Sequence, residues 1–299
     1  MIRPFLELIR FSHTLFALPF ALLAACMAYR ELLDSPVRQF PGKLFFGIIL
    51  CMVFARSTAM AFNRLADRNI DALNPRTASR HLPGGRLSPQ AVIIFIVLSA
   101  LGFVLSCTLF LPSNPIPVFC SLPVLTFLCG YSFAKRWTIA SHFWLGAALM
   151  LAPLAAWVAV NPVFSWAPVV LGLAVLFWVA GFDIIYACQD HDFDVKMRLK
   201  SVPAAFGIAR SLQIAAGCHV LTLIFLFLLP HVYEKFGLIY YAGVAVIALL
   251  LIAEHLIIRP KQRDENMNLS RINLAFFHLN AIVSIGLFFI GVVDLLWPS

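Results

Sequence analysis

Three polar residues spaced four apart interrupt an otherwise apolar stretch of the sequence. Asn63, Asp67 and Asp71 each advance about 40° around an α-helix of 3.6 residues per turn, so they share one face. Amide and carboxylate oxygens are the hard ligands that Mg²⁺ prefers, and Mg²⁺ usually shares its coordination shell with substrate phosphates. This first acidic motif therefore predicts a site that binds magnesium and phosphate.

A second acidic motif lies in the second half of the chain. Asp183, Asp190 and Asp194 are spaced by seven and then four residues, and Tyr186 lies on the same helical face. Asp192 points away from that face and is expected to be solvated. Together with Asp192, the two motifs account for six of the 14 acidic residues. Acids inside or at the edge of a membrane are costly and usually functional, so this clustering indicates a site.

Basic residues follow the acidic motifs and could bind the phosphate oxygens that metal ions leave free. They are Arg76, Arg80, Lys135 and Lys200. A single Asp-x-x-x-Asp is more typical of ion pairs at a helix end or of a solvated loop. Two such motifs at equivalent ends of predicted helices 2 and 6 favour a shared cavity lined by carboxylates. A proton or cation pathway also uses intramembrane acids, but near the middle of the bilayer.

The elements that must position these residues are long apolar segments. Of the 299 residues, 62% are hydrophobic and 12% charged, whereas a soluble domain devotes about a quarter of its residues to charge. Each membrane span needs about 20 apolar residues, which predicts an all-α membrane protein with nine transmembrane helices. These predicted helices cover 12–30, 43–64, 91–111, 116–134, 141–160, 166–189, 213–230, 236–258 and 273–296.

The distribution of lysine and arginine predicts the orientation in the membrane. Basic residues gather at the N-terminus and after predicted helices 2, 4, 6 and 8, on the side that carries both acidic motifs. They are Arg3, Arg10, Arg68, Arg76, Arg80, Arg86, Lys135, Arg136, Lys196, Arg198, Lys200, Arg210, Arg259, Lys261, Arg263 and Arg271. Because cytoplasmic loops carry such an excess, we expect a cytoplasmic N-terminus and an outside C-terminus in a bacterial inner membrane. The same bias explains the net charge of +8 without nucleic-acid binding.

Taken together, the motifs resemble those of the UbiA-type intramembrane prenyltransferase family. The first resembling element is Asn63-x-x-x-Asp67-x-x-x-Asp71, followed by Asn74-Pro75-Arg76-Thr77 and Arg80-x-Leu82-Pro83. The second is Asp183-x-x-Tyr186-x-x-x-Asp190-x-x-x-Asp194, continuing into Lys200-Ser201. Between them, Tyr131-Ser132-Phe133-Ala134-Lys135-Arg136 resembles the Tyr-x-x-x-Lys-Arg element of the family. The resemblance extends over the whole chain.

The resemblance implies one membrane domain over 1–299, a helical bundle around a central cavity that opens to the cytoplasm. Its repeated halves would cover about 1–140 and 141–260, with a ninth helix at about 273–296. It also implies Mg²⁺-dependent transfer of a polyprenyl group from a polyprenyl diphosphate to an aromatic carboxylic acid in quinone biosynthesis, without an obligate protein partner.

The same resemblance assigns roles to individual residues. The implied metal ligands are Asn63, Asp67, Asp71, Asp183, Asp190 and Asp194. Four of these, Asp67, Asp71, Asp190 and Asp194, are the implied catalytic residues. The implied contacts to the diphosphate or the acceptor are Asn63, Arg76, Arg80, Tyr131, Lys135, Asp183, Tyr186 and Lys200.

Two positions depart from the family pattern, and one of them removes a carboxylate expected at the first metal site. Arg64 replaces an aspartate of many relatives, and His81 replaces a proline. The Asn63-Arg64 form, with the Ser12-His13-Thr14 element, resembles a sub-branch from menaquinone-making organisms. We therefore favour 1,4-dihydroxy-6-naphthoate as acceptor over 4-hydroxybenzoate. Ser12-His13-Thr14 serves either as a helix start or as part of the acceptor pocket.

Two other functions remain open from the sequence. Haem O synthase-like farnesyltransferases share the Asn-x-x-x-Asp-x-x-x-Asp element. A cation-coupled transporter would use the acidic motifs for coupling and would break its helices near mid-membrane, for which Pro123 and Pro153 are the candidates. Glu254 and His255, near the end of predicted helix 8, are expected to form an interfacial pair.

Overall fold

The computed structural model describes residues 3–9, 16–33, 42–258 and 278–297, which form α-helices and short 3₁₀ segments, with no strand among them. The all-helical prediction is therefore confirmed for this part of the chain. Several residues used in the sequence analysis lie outside the described residues. They are Arg10, Ser12, His13, Thr14, Arg259, Lys261, Arg263 and Arg271.

The helices are numbered here in chain order. They are α1 (Arg3–Leu8), α2 (Leu18–Leu32), α3 (Gly42–Ala66), α4 (Arg68–Leu73), α5 (Pro89–Cys107), α6 (Ile116–Gly130), α7 (Ala134–Trp137), α8 (Ser141–Val160), α9 (Trp166–Ala187), α10 (His191–Lys196), α11 (Val202–Val232), α12 (Leu238–Ile258) and α13 (Asn280–Leu296). The 3₁₀ segments are Thr108–Phe110, Tyr131–Phe133 and Cys188–Asp190.

Seven helical segments within the described ranges are long and apolar enough to cross a membrane. They are Gly42–Ala66, Pro89–Phe110, Ile116–Trp137, Ser141–Val160, Trp166–Lys196, Val202–Val232 and Leu238–Ile258. The chain is therefore a multi-pass membrane protein. The first and last predicted spans correspond to α2, with 15 residues, and α13, with 17. Both are short for a span of about 20 residues, so the count of nine spans stays a prediction.

The chain divides into two compact units. The first comprises residues 1–14 and 39–134. Within it, α3 packs against α5 and α6, and its described core includes Ala61, Val92 and Phe103. Ser88 begins α5 as its N-cap, because its hydroxyl accepts a hydrogen bond from the Ala91 amide at 3.2 Å. This unit carries the first acidic motif at the end of α3.

The second unit comprises residues 15–38 and 135–299. Its central helix is α9, which packs against α8 and α11. Trp178 of α9 is fully buried, with ring centroids 4.9 Å from Phe182, 5.2 Å from Phe20 and 6.4 Å from Phe16. Aromatic pairs at these separations stabilise a core beyond the area they bury. This core holds the helix from which the second acidic motif emerges.

The predicted start of the seventh helix at 213 is wrong, because α11 already begins at Val202. The Ser201 hydroxyl caps it by accepting from the Ala204 amide at 3.2 Å, and Pro203 occupies the first turn. Gly207 interrupts the regular helix with φ 76° and ψ 166°. That conformation is open essentially to glycine alone. Because the residues around this bend are less apolar than the rest of α11, hydropathy predicted a loop there instead of the start of the helix.

Two polar contacts join α12 to α13, one at each end of the pair. The side-chain amide nitrogen of Asn280 donates to Glu254 Oε1 at 3.2 Å. At the opposite end of α12, the Gly237 amide donates to Asp294 Oδ2 at 2.6 Å. Glu254 and Asp294 are both buried, and buried polar groups need such partners. We call this pair of contacts the α12–α13 clasp.

The predicted interfacial pair at the end of α12 is wrong for Glu254, which is only 1% exposed. The neighbouring His255 ring points to His219 of α11, and the two ring nitrogens lie 2.9 Å apart. Gly181 of α9 makes room for this arrangement, because a Cβ there would collide with the His219 ring. Glu254 and His255 turn inward because their polar partners lie on adjacent helices. The sequence of α12 alone does not indicate those partners.

Candidate active site

The first acidic motif spans a break between two helices. α3 ends at Ala66, and Asp67 adopts φ −94° and ψ 4° before α4 begins. Helical hydrogen bonds nevertheless continue, from the Asp67 amide to Asn63 O at 2.9 Å and from the Asp71 amide to Asp67 O at 2.8 Å. The Asn63 amide group also donates to Asp67 Oδ2 at 3.0 Å. The motif therefore follows successive turns despite the break.

Arg80 binds the last carboxylate of this motif. Its Nη1 lies 2.7 Å from both carboxylate oxygens of Asp71. The loop that brings Arg80 back is fixed locally, because Thr77 Oγ1 donates to Asp71 O at 2.9 Å and the Arg76 amide donates to Asn74 Oδ1 at 2.9 Å. The predicted residues Asp71 and Arg80 are thus brought into direct contact.

A cavity of about 210 Å³ lies beside this ion pair, within the first unit. Its lining residues are Glu7, Leu8, Arg64, Asp71, Arg76, Ser79, Arg80, His81, Leu82 and Pro83. Three arginines against two acids give the lining an excess of positive charge, which suits an anionic ligand. Arg64, a departure from the family pattern, is buried and contributes to this lining.

The second acidic motif begins with a buried histidine contact. Asp183 Oδ2 lies 2.6 Å from Nδ1 of His142, whose ring is completely buried at the start of α8. The Val202 amide donates to His142 Nε2 at 3.3 Å, so Nε2 is the acceptor and Nδ1 carries the proton of the neutral ring. His142 therefore donates to Asp183 and fixes the orientation of that carboxylate.

The remaining acids of this motif lie beyond the end of α9. Asp190 ends a 3₁₀ segment and Asp194 lies in α10, and both are buried. Lys135 Nζ lies 3.6 Å from Asp194 Oδ2. Asp192 is fully exposed, as predicted. The motif thus presents two sheltered carboxylates, with a lysine beside one of them.

The other predicted contact residues occupy different surroundings. The Lys200 amide donates to Lys135 O at 2.7 Å, and its Nζ donates to Trp137 O at 2.9 Å. Tyr131 begins a 3₁₀ segment and is partly buried. Tyr186 is also partly buried and packs against the core around α9. The backbone bond places Lys200 next to Lys135, within the second unit.

The donor chemistry of both motifs fits Mg²⁺. Each motif offers carboxylate oxygens. Asn63 bonds to Asp67 through its side-chain nitrogen, so its side-chain oxygen could bind a metal. Among the described residues, no three His, Cys, Asp or Glu side chains form a group that could hold a metal ion. Mg²⁺ is typically held by one or two carboxylates together with water and substrate phosphates, and this donor set matches that pattern.

Sequence reasoning missed two residues that bear on the site. His142 had no local signal, because its partners Asp183 and Val202 lie 41 and 60 residues away. Arg56 did have one, since it is the single charged residue of α3 between Lys43 and Arg64, and an ionisable residue inside a membrane helix is functional by default.

Comparison with known proteins gives a consistent family. The family model described as the UbiA prenyltransferase family matches residues 17–281. The 4-hydroxybenzoate octaprenyltransferase of Vibrio campbellii is 32% identical over 217 residues, covering 72% of this chain and 74% of that protein. The enzyme of the same name from Aeromonas hydrophila is 33% identical over 213 residues, covering 70% and 71%.

Solved structures share the fold. A UbiA homologue from Aeropyrum pernix K1 superimposes with a TM-score of 0.80 at 28% identity, covering 94% of this chain and 97% of that one. A UbiA homologue from Archaeoglobus fulgidus bound to GPP and Mg²⁺ gives a TM-score of 0.70 at 22% identity, covering 98% and 99%. The prediction of an enzyme of the prenyltransferase class is thereby confirmed, and the chain belongs to the UbiA prenyltransferase family.

Proposed function

We propose that this protein transfers a polyprenyl group from a polyprenyl diphosphate to an aromatic carboxylic acid in quinone biosynthesis. The observation that supports this best is that each motif combines carboxylates with a basic side chain in contact, Arg80 at Asp71 and Lys135 at Asp194. Carboxylates alone suit a metal, whereas carboxylates with adjacent cations suit a metal bound to phosphate.

Basic side chains bind and orient the diphosphate in this proposal. Arg76 and Arg80 line the cavity of the first unit, while Lys135 and Lys200 are linked by the backbone bond in the second. Arg80 balances the charge of Asp71 before substrate binds and then shares its donors with a phosphate oxygen. Cations aimed at the leaving group stabilise the charge that develops as the carbon–oxygen bond breaks.

Each motif would hold magnesium through its own oxygen ligands, and the bound metal would neutralise diphosphate charge. The proposed ligands are Asn63, Asp67, Asp71, Asp183, Asp190 and Asp194. His142 holds Asp183 in one orientation through its 2.6 Å contact. Buried donors of this kind fix metal ligands in place before the metal arrives.

The apolar helices exclude water from the allylic carbon after the diphosphate departs. An allylic cation reacts with water unless it is shielded, and aromatic faces such as those of Tyr131 and Tyr186 stabilise a neighbouring cation. An electron-rich ring carbon beside a hydroxyl then forms the new carbon–carbon bond and loses its proton. The apolar product can pass directly into lipid, which explains why the chemistry belongs in a membrane protein.

For the acceptor, two observations point to different aromatic acids. The Asn63-Arg64 form favours 1,4-dihydroxy-6-naphthoate, whereas the relatives are named for 4-hydroxybenzoate. Both are electron-rich aromatic acids, and they differ by a fused ring. Discrimination of that size in an apolar pocket is worth only about 1–3 kcal/mol. We therefore propose the aromatic acid as the acceptor class, with naphthoate preferred and some activity on both.

The rival functions have less support. Pro123 and Pro153 lie inside the continuous helices α6 and α8, so neither breaks a helix as a transporter site would require. The haem O synthase alternative rests on the first acidic motif alone.

Metal dependence and product analysis test this function together. Purified protein in detergent is given a polyprenyl diphosphate with either aromatic acid, and the products are identified by mass spectrometry. We expect a prenylated acid with Mg²⁺ and none with EDTA, because carboxylates without a metal repel the diphosphate. Full activity in EDTA would contradict the metal site, and farnesylated haem b in place of a prenylated acid would indicate the haem branch.

A competition between the two acids at equal concentration addresses the acceptor. We expect both products, with the naphthoate product in excess. Exclusive prenylation of 4-hydroxybenzoate would reverse our preference while leaving the enzyme class intact.

A further inference from the structure

Two cysteines of the first unit are in contact across neighbouring helices. Cys51 lies in α3 and Cys107 is the last residue of α5, and their sulfur atoms are 3.8 Å apart. Both are free thiols in this structure. A disulfide bond is about 2.05 Å long, so the two sulfurs are already within about 1.8 Å of bonding distance. We call these two residues the thiol pair.

Close packing of α3 against α5 holds the thiol pair together. Cys107 belongs to a buried cluster with Phe103, and Cys51 packs against the same cluster. A Cβ on Gly102 would lie 2.8 Å from the Phe54 ring, so the two helices approach closely here. Because protein interiors are packed without free space, the sulfurs remain in contact, and the pair is arranged for a bond between them.

The surroundings of the thiol pair determine which oxidant can reach it. Cys107 is only 2% exposed, whereas Cys51 is partly exposed. The side chains around them are apolar, and both helices belong to segments long enough to cross a membrane. Bringing a charged molecule into such surroundings is costly. The oxidant must therefore be an uncharged molecule that arrives from the lipid.

We propose that Cys51 and Cys107 form a redox site that a membrane quinone oxidises to a disulfide. One S–S bond forms as the two S–H bonds break. Both hydrogen atoms, with their two electrons, pass to the quinone, which becomes a hydroquinone. The reaction leaves no charge in the apolar cluster, where an isolated ion would be strongly unfavourable. This site does not depend on the proposed prenyl transfer.

The thiol pair is remote from the first acidic motif of the same unit. Cys51 lies twelve residues before Asn63 in α3, which is about 18 Å along the helix axis. A disulfide there would join α3 to α5 without touching the proposed site. It would also constrain the unfolded chain by closing a loop, so we expect the oxidised protein to unfold at a higher temperature.

Oxidation in isolated membranes tests this redox site. Membranes containing wild type, Cys51→Ser, Cys107→Ser or Cys120→Ser are incubated without oxygen with an excess of a fully ring-substituted benzoquinone, or with its hydroquinone. Full substitution disfavours addition of a thiol to the ring. Remaining thiols are alkylated after denaturation and counted by mass spectrometry. Cys120 is an exposed thiol in α6 of the same unit, so its substitution is the matched control.

We expect the quinone to remove two alkylatable thiols from wild type and from Cys120→Ser. The linked peptides should contain Cys51 and Cys107 and should weigh two hydrogen atoms less than the reduced peptides. Dithiothreitol should restore both thiols. Cys51→Ser and Cys107→Ser should lose no thiol, and the hydroquinone should oxidise none of the proteins. Thiols that stay alkylatable in wild type, equal oxidation without quinone, or pairing with another cysteine would overturn the proposal.

Thermal unfolding gives a second readout of the same bond. The quinone should raise the unfolding temperature of wild type and of Cys120→Ser, and dithiothreitol should reverse the shift. Cys51→Ser should show no shift, because it cannot form the bond. An equal shift in Cys51→Ser would show that the quinone stabilises the protein by another route and would contradict the proposed brace. The thiol count of wild type decides the proposal even where a serine variant does not fold.

Discussion

At the scale of single residues, the acidic residues of the proposed site are less exposed than their neighbour Asp192. Asp67 and Asp190 follow helix ends within the two motifs, whereas Asp192 is fully exposed two residues after Asp190. We expect Asp67→Ala and Asp190→Ala each to lower the rate by about 10³-fold or more, because each would remove a proposed ligand of the metal that stabilises the leaving-group charge. The measurement is prenyl transfer by purified variants at saturating Mg²⁺.

Asp192→Ala is the matched control, since it removes the same charge from α10, two residues after Asp190. It should retain nearly the wild-type rate. All three variants should keep the helical circular dichroism of the wild type. A near-normal rate in Asp67→Ala or Asp190→Ala would remove that residue from the proposed site.

His142 provides a test of carboxylate orientation. His142→Ala removes the donor to Asp183 Oδ2, so the Mg²⁺ concentration needed for half-maximal activity should rise about 10- to 100-fold, the range typical of lost partners of metal ligands. His142→Asn, which returns a donor near the position of Nδ1, should recover part of this loss. An unchanged Mg²⁺ dependence in His142→Ala would show that the contact only fills space.

Residue spacing located the acids of both motifs but could not locate their partners. The four-residue interval between Asp67 and Asp71 is readable because both lie on successive turns of local structure. The contact of His142 with Asp183 joins different helices, and helical periodicity carries no information about which helices are neighbours. Arg56, by contrast, was readable as a charge within an apolar run.

At the scale of elements, the bend at Gly207 can be tested against a second glycine in the same helix. Gly207 has a positive φ, whereas Gly217 does not, and neither would meet another atom within 4 Å through an added Cβ. Gly207→Ala should lower the free energy of unfolding by about 1–3 kcal/mol through backbone strain alone. Gly217→Ala should be neutral or stabilising, by up to about 1 kcal/mol. Thermal unfolding in one detergent compares them, and equal effects would contradict the strained bend.

Hydropathy predicted the existence of the long helices better than their ends. The start of α11 was misplaced because a cap at Ser201 and a bend at Gly207 lie outside the apolar run. The break at Asp67 was also missed, since four-residue spacing predicts a continuous helix there. Apolar composition reports where a helix crosses lipid, and local backbone geometry decides where it begins.

At the scale of the whole molecule, we propose that both acidic motifs face the cytoplasm and that the C-terminus lies outside. The lysine and arginine distribution supports this through the positive-inside rule. A reporter fused after Ser299 should be periplasmic, and one inserted near Pro89, at the start of α5, should be cytoplasmic. Protease protection in spheroplasts measures both. The opposite pattern would refute the orientation, and two reporters on one side would refute the odd number of spans.

We further propose that residues 1–299 form one functional domain, with the halves and ninth helix suggested by the family resemblance. The sequence could predict this only as a repeat of apolar segments. It could not predict how α13 is held, because the partners of Asn280 and Asp294 are Glu254 and Gly237, which are distant in the sequence.

The α12–α13 clasp has a consequence for how the chain enters the membrane. α13 is synthesised after α12 and has only 17 residues, so alone it spans about 25 Å of a core about 30 Å thick. Until α13 arrives, Glu254 lacks the Asn280 amide, and exposing a carboxylate to lipid is costly. We therefore expect α12 and α13 to enter the bilayer together, as a hairpin.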